Sequence, residues 1–207
     1  MIVVIDYGIG NLGSAYKALT RIGADTMLVD RPGGLSDVTG IILPGVGSFG
    51  SCVGALESSG LGSMVLEAVD SGIPLMGICV GMQMLYKGSE ESPDVPGLGL
   101  LDGWVRRLQG APKVPNMAWN QIEYVNGGEE SFLFKNLPND PWFYFVHSYA
   151  PEITDATVAK CNYGNSFSAV VSRENIFGTQ FHPEKSSATG LMLLSNFVQF
   201  CDRKAMV

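Results

Sequence analysis

Pro74-Leu75-Met76-Gly77-Ile78-Cys79-Val80-Gly81-Met82-Gln83 is the stretch that decides the fold. Its first half is a short apolar run, the pattern of a strand buried on both faces of a parallel sheet. After Val80 the chain resumes as a helix, read over Met82 to Tyr86. Between the two stands Cys79, with Gly77 and Gly81 on either side. A chain that turns sharply from strand to helix has no room for side chains beside the turning residue, so glycine is physically wanted at both places. The positive end of the helix that follows favours a thiolate over a thiol. Cys79 is therefore the candidate nucleophile. Cys52, Cys161 and Cys201 read as ordinary buried cysteines.

A thiol nucleophile needs a base, and the base needs a group to orient it. The chain has only two histidines. His182 follows a strand read over Ile176–Phe181, and Pro183 forces the chain out of the sheet ladder there. His182 and Glu184 flank that proline and can hydrogen-bond, which would fix the ring tautomer. His147, inside Phe145-Val146-His147-Ser148-Tyr149, has no acid near it in sequence and reads as a pocket or structural histidine.

Upstream of Cys79 the rhythm is strand, helix, strand. Ile2–Ile5, Thr26–Val29 and Gly40–Leu43 read as strands, the third cut off by Pro44. A helix capped by Ser14 runs to Ile22, and another covers Met64–Val69 and stops at Gly72. This alternation implies an α/β fold, a mostly parallel sheet with helices on both faces. The segment Gly88–Pro115, rich in Gly and Pro, reads as loop with a strand at Trp104–Arg106. Five strands follow, at Trp119–Val125, Phe143–Tyr149, Thr157–Cys161, Phe167–Ser172 and Ile176–Phe181. Without helices between them they suggest an antiparallel extension of the sheet in the C-terminal third. Leu191, Leu194, Val198 and Cys201 fall at helical spacing and close the chain. With no repeat or linker in sight, residues 1–207 are expected to form a single domain.

Composition narrows the function. The 207 residues carry a formal charge of −7 with 46% hydrophobic and 16% charged residues. No basic cluster is available for phosphates, which argues against a nucleic-acid partner. The four scattered cysteines form no C-x-x-C pair, so no metal site is expected. No stretch reaches the roughly 18–20 apolar residues of a membrane helix, so no membrane partner is expected either. Free thiols and the lack of a secretory signal point to the cytoplasm.

Two glycine-rich turns remain. Gly8-Ile9-Gly10-Asn11-Leu12-Gly13, with Asp30 after the next strand, matches the dinucleotide-binding fingerprint. The chain is short for such a fold plus a substrate domain, and its later strands do not repeat the βαβ unit. Pro44-Gly45-Val46-Gly47 offers flexible backbone N–H groups to a developing oxyanion, with the Val80 N–H as the natural second donor.

Taken together, Asp6-Tyr7-Gly8-Ile9-Gly10-Asn11-Leu12, Pro44-Gly45-Val46-Gly47-Ser48-Phe49, Gly77-Ile78-Cys79-Val80-Gly81-Met82-Gln83 and Phe181-His182-Pro183-Glu184-Lys185-Ser186 resemble the class I glutamine amidotransferases. More narrowly they resemble the glutaminase subunits of imidazole glycerol phosphate synthases, in order and from Met1 to the final helix. The resemblance implies the flavodoxin-like amidotransferase fold and assigns the first glycine-rich turn to this family, with no cofactor. It implies that Cys79, His182 and Glu184 hydrolyse L-glutamine through a glutamyl thioester. Val46, Gly47 and Val80 would form the oxyanion hole, and Gln83, His147, Ser148 and Tyr149 the glutamine pocket. Asn11, Trp119, Tyr144 and Lys185 match positions that face a (βα)8-barrel cyclase subunit, which receives the ammonia in a heterodimer.

One segment departs from the family pattern. Where the family reads Pro-His-Met-Gly-Trp-Asn, this chain has Pro115-Asn116-Met117-Ala118-Trp119-Asn120. Both changes are expected near the partner surface. They admit a paralogue that feeds ammonia to a related synthase, such as one amidating a surface-polysaccharide sugar. A regulatory subunit with a dead site is the non-enzymatic alternative.

Overall fold

A computed structural model describes residues 1–205. The N-terminal part runs β1 (Ile2–Ile5), α1 (Leu12–Arg21), β2 (Thr26–Val29), β3 (Gly40–Gly45), α2 (Phe49–Ser58), α3 (Leu61–Asp70), β4 (Leu75–Cys79) and the short α4 (Val80–Gln83). The middle contributes β5 (Gly88–Ser89), β6 (Ser92–Pro96), β7 (Val105–Arg107), β8 (Asn116–Gln121) and β9 (Glu123–Tyr124). The last part holds β10 (Trp142–His147), β11 (Tyr149–Pro151), β12 (Thr157–Tyr163), β13 (Asn165–Arg173), β14 (Ile176–Thr179) and α5 (Ser187–Lys204). Among the described residues no helix is long and apolar enough to cross a membrane.

The main sheet has eight strands in the order β2-β1-β3-β4-β14-β13-β12-β9. Pairing is parallel from β2 through β14 and antiparallel beyond. β1, β3, β4 and β14 are buried throughout, as their uninterrupted apolar sequences require. From β1 the chain crosses to one side, to β2, and from β3 to the other, to β4. Right-handed crossovers therefore place α1 on one face and α2 and α3 on the opposite one. The reversal between β1 and β3 opens a crevice at the carboxyl ends of the strands, where ligands bind in open α/β sheets.

Several details differ from the sequence reading. The first helix begins at Leu12 after Asn11, and Ser14 lies inside it rather than capping it. The third strand does not stop at Pro44 but runs to Gly45, Pro44 pairing in register with Ile78. Helix α2 had no sequence signal, because Gly50 and Gly54 dilute its helix propensity. It is held by Ser48, whose side chain accepts from the Ser51 N–H, and by Glu91, whose carboxylate accepts from the Phe49 N–H at 2.7 Å. The middle segment is not loop with one strand: β11, β7, β5 and β6 form a four-stranded sheet of their own. β8 and β10 leave the main sheet as a separate antiparallel pair. The antiparallel extension is thus narrower than the five strands suggested.

Candidate active site

Cys79 sits at the turn between β4 and α4 with φ 57° and ψ −114°. A non-glycine residue held there is strained by about 1–3 kcal/mol. The surroundings enforce it. A Cβ on Gly77 would lie 2.6 Å from the Gly81 carbonyl oxygen, and one on Gly81 would overlap the Leu43 carbonyl. Both glycines are therefore required by the close approach of β3 and β4 to the turn.

His182 leaves the sheet after β14, and Glu184 lies in the single turn of 3-10 helix, Pro183–Lys185, that follows. Glu184 Oε1 is 2.8 Å from His182 Nδ1, and both side chains are 2% exposed. Burial alone would lower the pKa of His182. Hydrogen bonding to Cys79 and to Glu184, reinforced by their charges, more than reverses this and pushes it up to about 10. The His182 ring is thus held protonated beside the sulfur, with Nδ1 directed at the carboxylate.

A cavity of about 590 Å³ opens over this group. Cys79, Val80 and His182 line it, with Val46 and Gly47 from the end of β3 and Gln83 from α4. His147, Ser148 and Tyr149 enter from the β10–β11 side. Asn11 and Lys185 stand at the same cavity, while Glu184 stays behind His182. Its position over the ends of β1, β3 and β4 is the crevice that the strand order creates. The family model for class-I glutamine amidotransferases matches residues 3–200.

The chain is a class-I glutamine amidotransferase.

Curated relatives match over nearly their whole length. The imidazole glycerol phosphate synthase subunit HisH of Moorella thermoacetica is 45% identical over 198 residues, 95% of this chain and 93% of that one. The subunit of the same name from Desulfitobacterium hafniense is 43% identical over 209 residues, 100% of this chain and 98% of its own. That of Halobacterium salinarum is 46% identical over 210 residues, 97% and 93%. A crystal structure of a glutamine amidotransferase superposes with a TM-score of 0.76 at 20% identity, covering 98% of this chain and 100% of that one. At that identity the likeness speaks for the fold alone.

In this amidotransferase Gly10 and Asn11 of the first glycine-rich turn line the Cys79 cavity, whereas Asp30 lines a different groove. The dinucleotide fingerprint is therefore split between two places. Trp119 and Tyr144 pair across the β8–β10 ladder with ring centroids 6.1 Å apart, Trp119 being 44% exposed. They stand beside the cavity without lining it.

The departure in the family pattern lies on the inner face of β8. Asn116 is fully buried, and its Nδ2 lies 3.3 Å from His147 Nε2. Only Ala118 is partly accessible. Because side chains alternate along β8, Asn116, Ala118 and Asn120 share one face and Met117 and Trp119 the other.

Two residues of the site gave no sequence signal. Glu91 lines the cavity, and its distance in sequence from every motif hid it. Gln180 is buried with its Nε2 3.8 Å from the Cys79 sulfur. A glutamine two residues before His182 was readable only as part of a strand.

Proposed function

We propose that this chain, residues 1–207 as one amidotransferase domain, is the glutaminase subunit of an imidazole glycerol phosphate synthase. The observation that carries this reading is a buried Cys-His-Glu arrangement, with His182 and Glu184 at 2.8 Å, in a chain 43% to 46% identical to HisH subunits over nearly its whole length.

In this reading the Cys79 sulfur attacks the side-chain carbonyl carbon of L-glutamine. The backbone N–H groups of the Val46–Gly47 segment and of Val80 stabilise the oxyanion that develops. His182 gives its proton to the departing nitrogen, the C–N bond breaks, and ammonia leaves a glutamyl thioester on Cys79. Water then attacks the thioester with His182 accepting its proton, the C–S bond breaks, and glutamate is released. Glu184 keeps the imidazole oriented and stabilises its charged form. Glu91 places an anionic group in the cavity for the α-ammonium of the substrate. Gln83, Ser148 and Tyr149 line the remainder, and His147, whose pKa is pushed down to about 4 mainly by burial, stays neutral beside them. No cofactor is needed for these steps.

The acceptor of ammonia in this reading is a (βα)8-barrel cyclase subunit in a cytoplasmic heterodimer. What supports it is the outer face of the β8–β10 pair beside the cavity mouth. There Met117 is 61% exposed, Trp119 44% and Trp142 50%. Apolar and aromatic side chains of that size on one two-stranded face mark a protein interface. Asn11 and Lys185 at the cavity extend it, Lys185 as a cation for a partner carboxylate. Direct transfer keeps ammonia unprotonated and undiluted.

The test is growth of a histidine auxotroph that lacks its own glutaminase subunit but retains the cyclase. Restoration by this chain supports the reading. Failure, together with glutamine-dependent amidation by another synthase that copurifies with it, would assign it to a paralogous pathway.

A further inference from the structure

A continuous row of hydrogen bonds leads from the Cys79 sulfur to β8. Gln180 is fully buried and its Nε2 points at the sulfur, 3.8 Å away. Its Oε1 accepts from Gln83 Nε2 at 3.0 Å, which turns the N–H side of the carboxamide toward Cys79. Gln83 Nε2 gives its other proton to the Tyr149 carbonyl at 2.9 Å. That carbonyl also accepts from His147 Nδ1 at 3.0 Å.

On the far side of the ring, His147 Nε2 faces Asn116 Nδ2 at 3.3 Å. An amide nitrogen only donates, so Nε2 accepts, and His147 is the neutral tautomer with its proton on Nδ1. Asn120 Nδ2 donates to Asn116 Oδ1 at 3.1 Å and keeps the Asn116 amide from turning over. The directions on the two sides of the Tyr149 carbonyl are set separately, because its oxygen accepts from both. Reversing any one amide would bring two acceptors or two donors face to face in a buried place, at a cost of about 1–3 kcal/mol.

We propose that Gln180 is a further catalytic residue, donating a hydrogen bond to the Cys79 sulfur as the thiolate forms, with its donor direction set by Gln83, whose own amide is fixed by the Tyr149 carbonyl. The inference rests on Cys79 being the nucleophile. A thiolate in a buried cavity needs donors other than water, and a hydrogen bond to the charged form favours that form.

The test is the pH dependence of Cys79 alkylation by iodoacetamide in the full chain, read from the mass of the peptide that carries Cys79. Gln180→Met preserves size and removes the N–H. Its alkylation midpoint is expected to rise by about one pH unit. Its kcat for glutamine hydrolysis should fall about tenfold with little change in KM. Gln180→Glu keeps the acceptor for Gln83 but sets an anionic oxygen against the sulfur, and its midpoint should rise further. It also carries the test should the methionine variant fail to fold.

Midpoints in the Gln180 variants equal to that of the unvaried chain would overturn the role of Gln180. Resistance of Cys79 to alkylation at every pH in the unvaried chain would instead overturn its assignment as nucleophile, and this inference with it.

Discussion

The backbone N–H of His182 donates to the carbonyl of Tyr144 at 3.0 Å. The strand that carries Tyr144 is not part of the main sheet, yet it anchors the backbone of the proposed base, His182. Ser186 closes the link: its hydroxyl donates to the His182 carbonyl at 2.6 Å and accepts from the Tyr144 N–H at 2.9 Å. The side chain of Tyr144 packs against exposed Trp119 on the other face. The strand that holds the His182 backbone therefore also carries part of the outward aromatic face.

Ser186 is fully buried. Ser186→Ala leaves the Tyr144 N–H and the His182 carbonyl without this partner, and should cost about 1–3 kcal/mol of stability. The measurement is a urea titration, with a lower midpoint and an unchanged slope. Glutaminase kcat should fall as well, because the base loses its backbone support. A variant as stable and as active as the unvaried chain would contradict the coupling.

The two histidines should titrate on opposite sides of the ordinary value. His182 has a folded pKa raised from 6.5 to about 10, so the native chain binds more protons than the unfolded one across that window. Its contribution is complete below pH 6.5 and is lost as pH rises through about 10. His147 is lowered from 6.5 to about 4, first by burial and further by the nearby His182. Its contribution is complete above 6.5 and is lost as pH falls through about 4. Imidazole nitrogen spectra of the two rings should show these titrations, with His147 as the Nδ1–H tautomer. Glu184→Gln should bring the upper titration down and flatten the alkaline loss of stability.

The outer face of β8–β10 makes a separate prediction. Met117→Asp and Trp119→Ala should each weaken binding to the cyclase by about 2 kcal/mol. Their own thermal stability should change little, by about 0.5 kcal/mol for Met117→Asp. Calorimetric titration with the cyclase checks this. Unchanged affinity in both would place the docking surface elsewhere.

How much of this was legible in the sequence follows the range of the interactions. The Cys79 turn was readable because its cause is local: Gly77 and Gly81 stand within two residues of it. His182 and Glu184 were readable for the same reason, Pro183 forcing the chain to turn between them. Gln180 was not, because its meaning comes from Cys79 and Gln83, about a hundred residues earlier. Helix α2 was hidden because part of its stabilisation comes from Glu91, 42 residues after the Phe49 N–H it accepts from. The strands of β8 and β10 were visible, but not that they pair with one another instead of joining the sheet. Alternation alone does not say which neighbour a strand will find. Asn116 was noticed as a departure, but its burial was not legible for the same reason, since its direction is set by the β8–β10 register.

The most direct test of the account is to follow the side-chain amide of glutamine in a mixture of this chain with the cyclase subunit proposed as its partner. After acid quenching, the peptide carrying Cys79 should hold a glutamyl group, the mass of glutamine less ammonia. Cys79→Ala should lack that adduct and release no glutamate above the level of the cyclase alone. Undiminished glutamate release by Cys79→Ala would contradict the assignment of the triad.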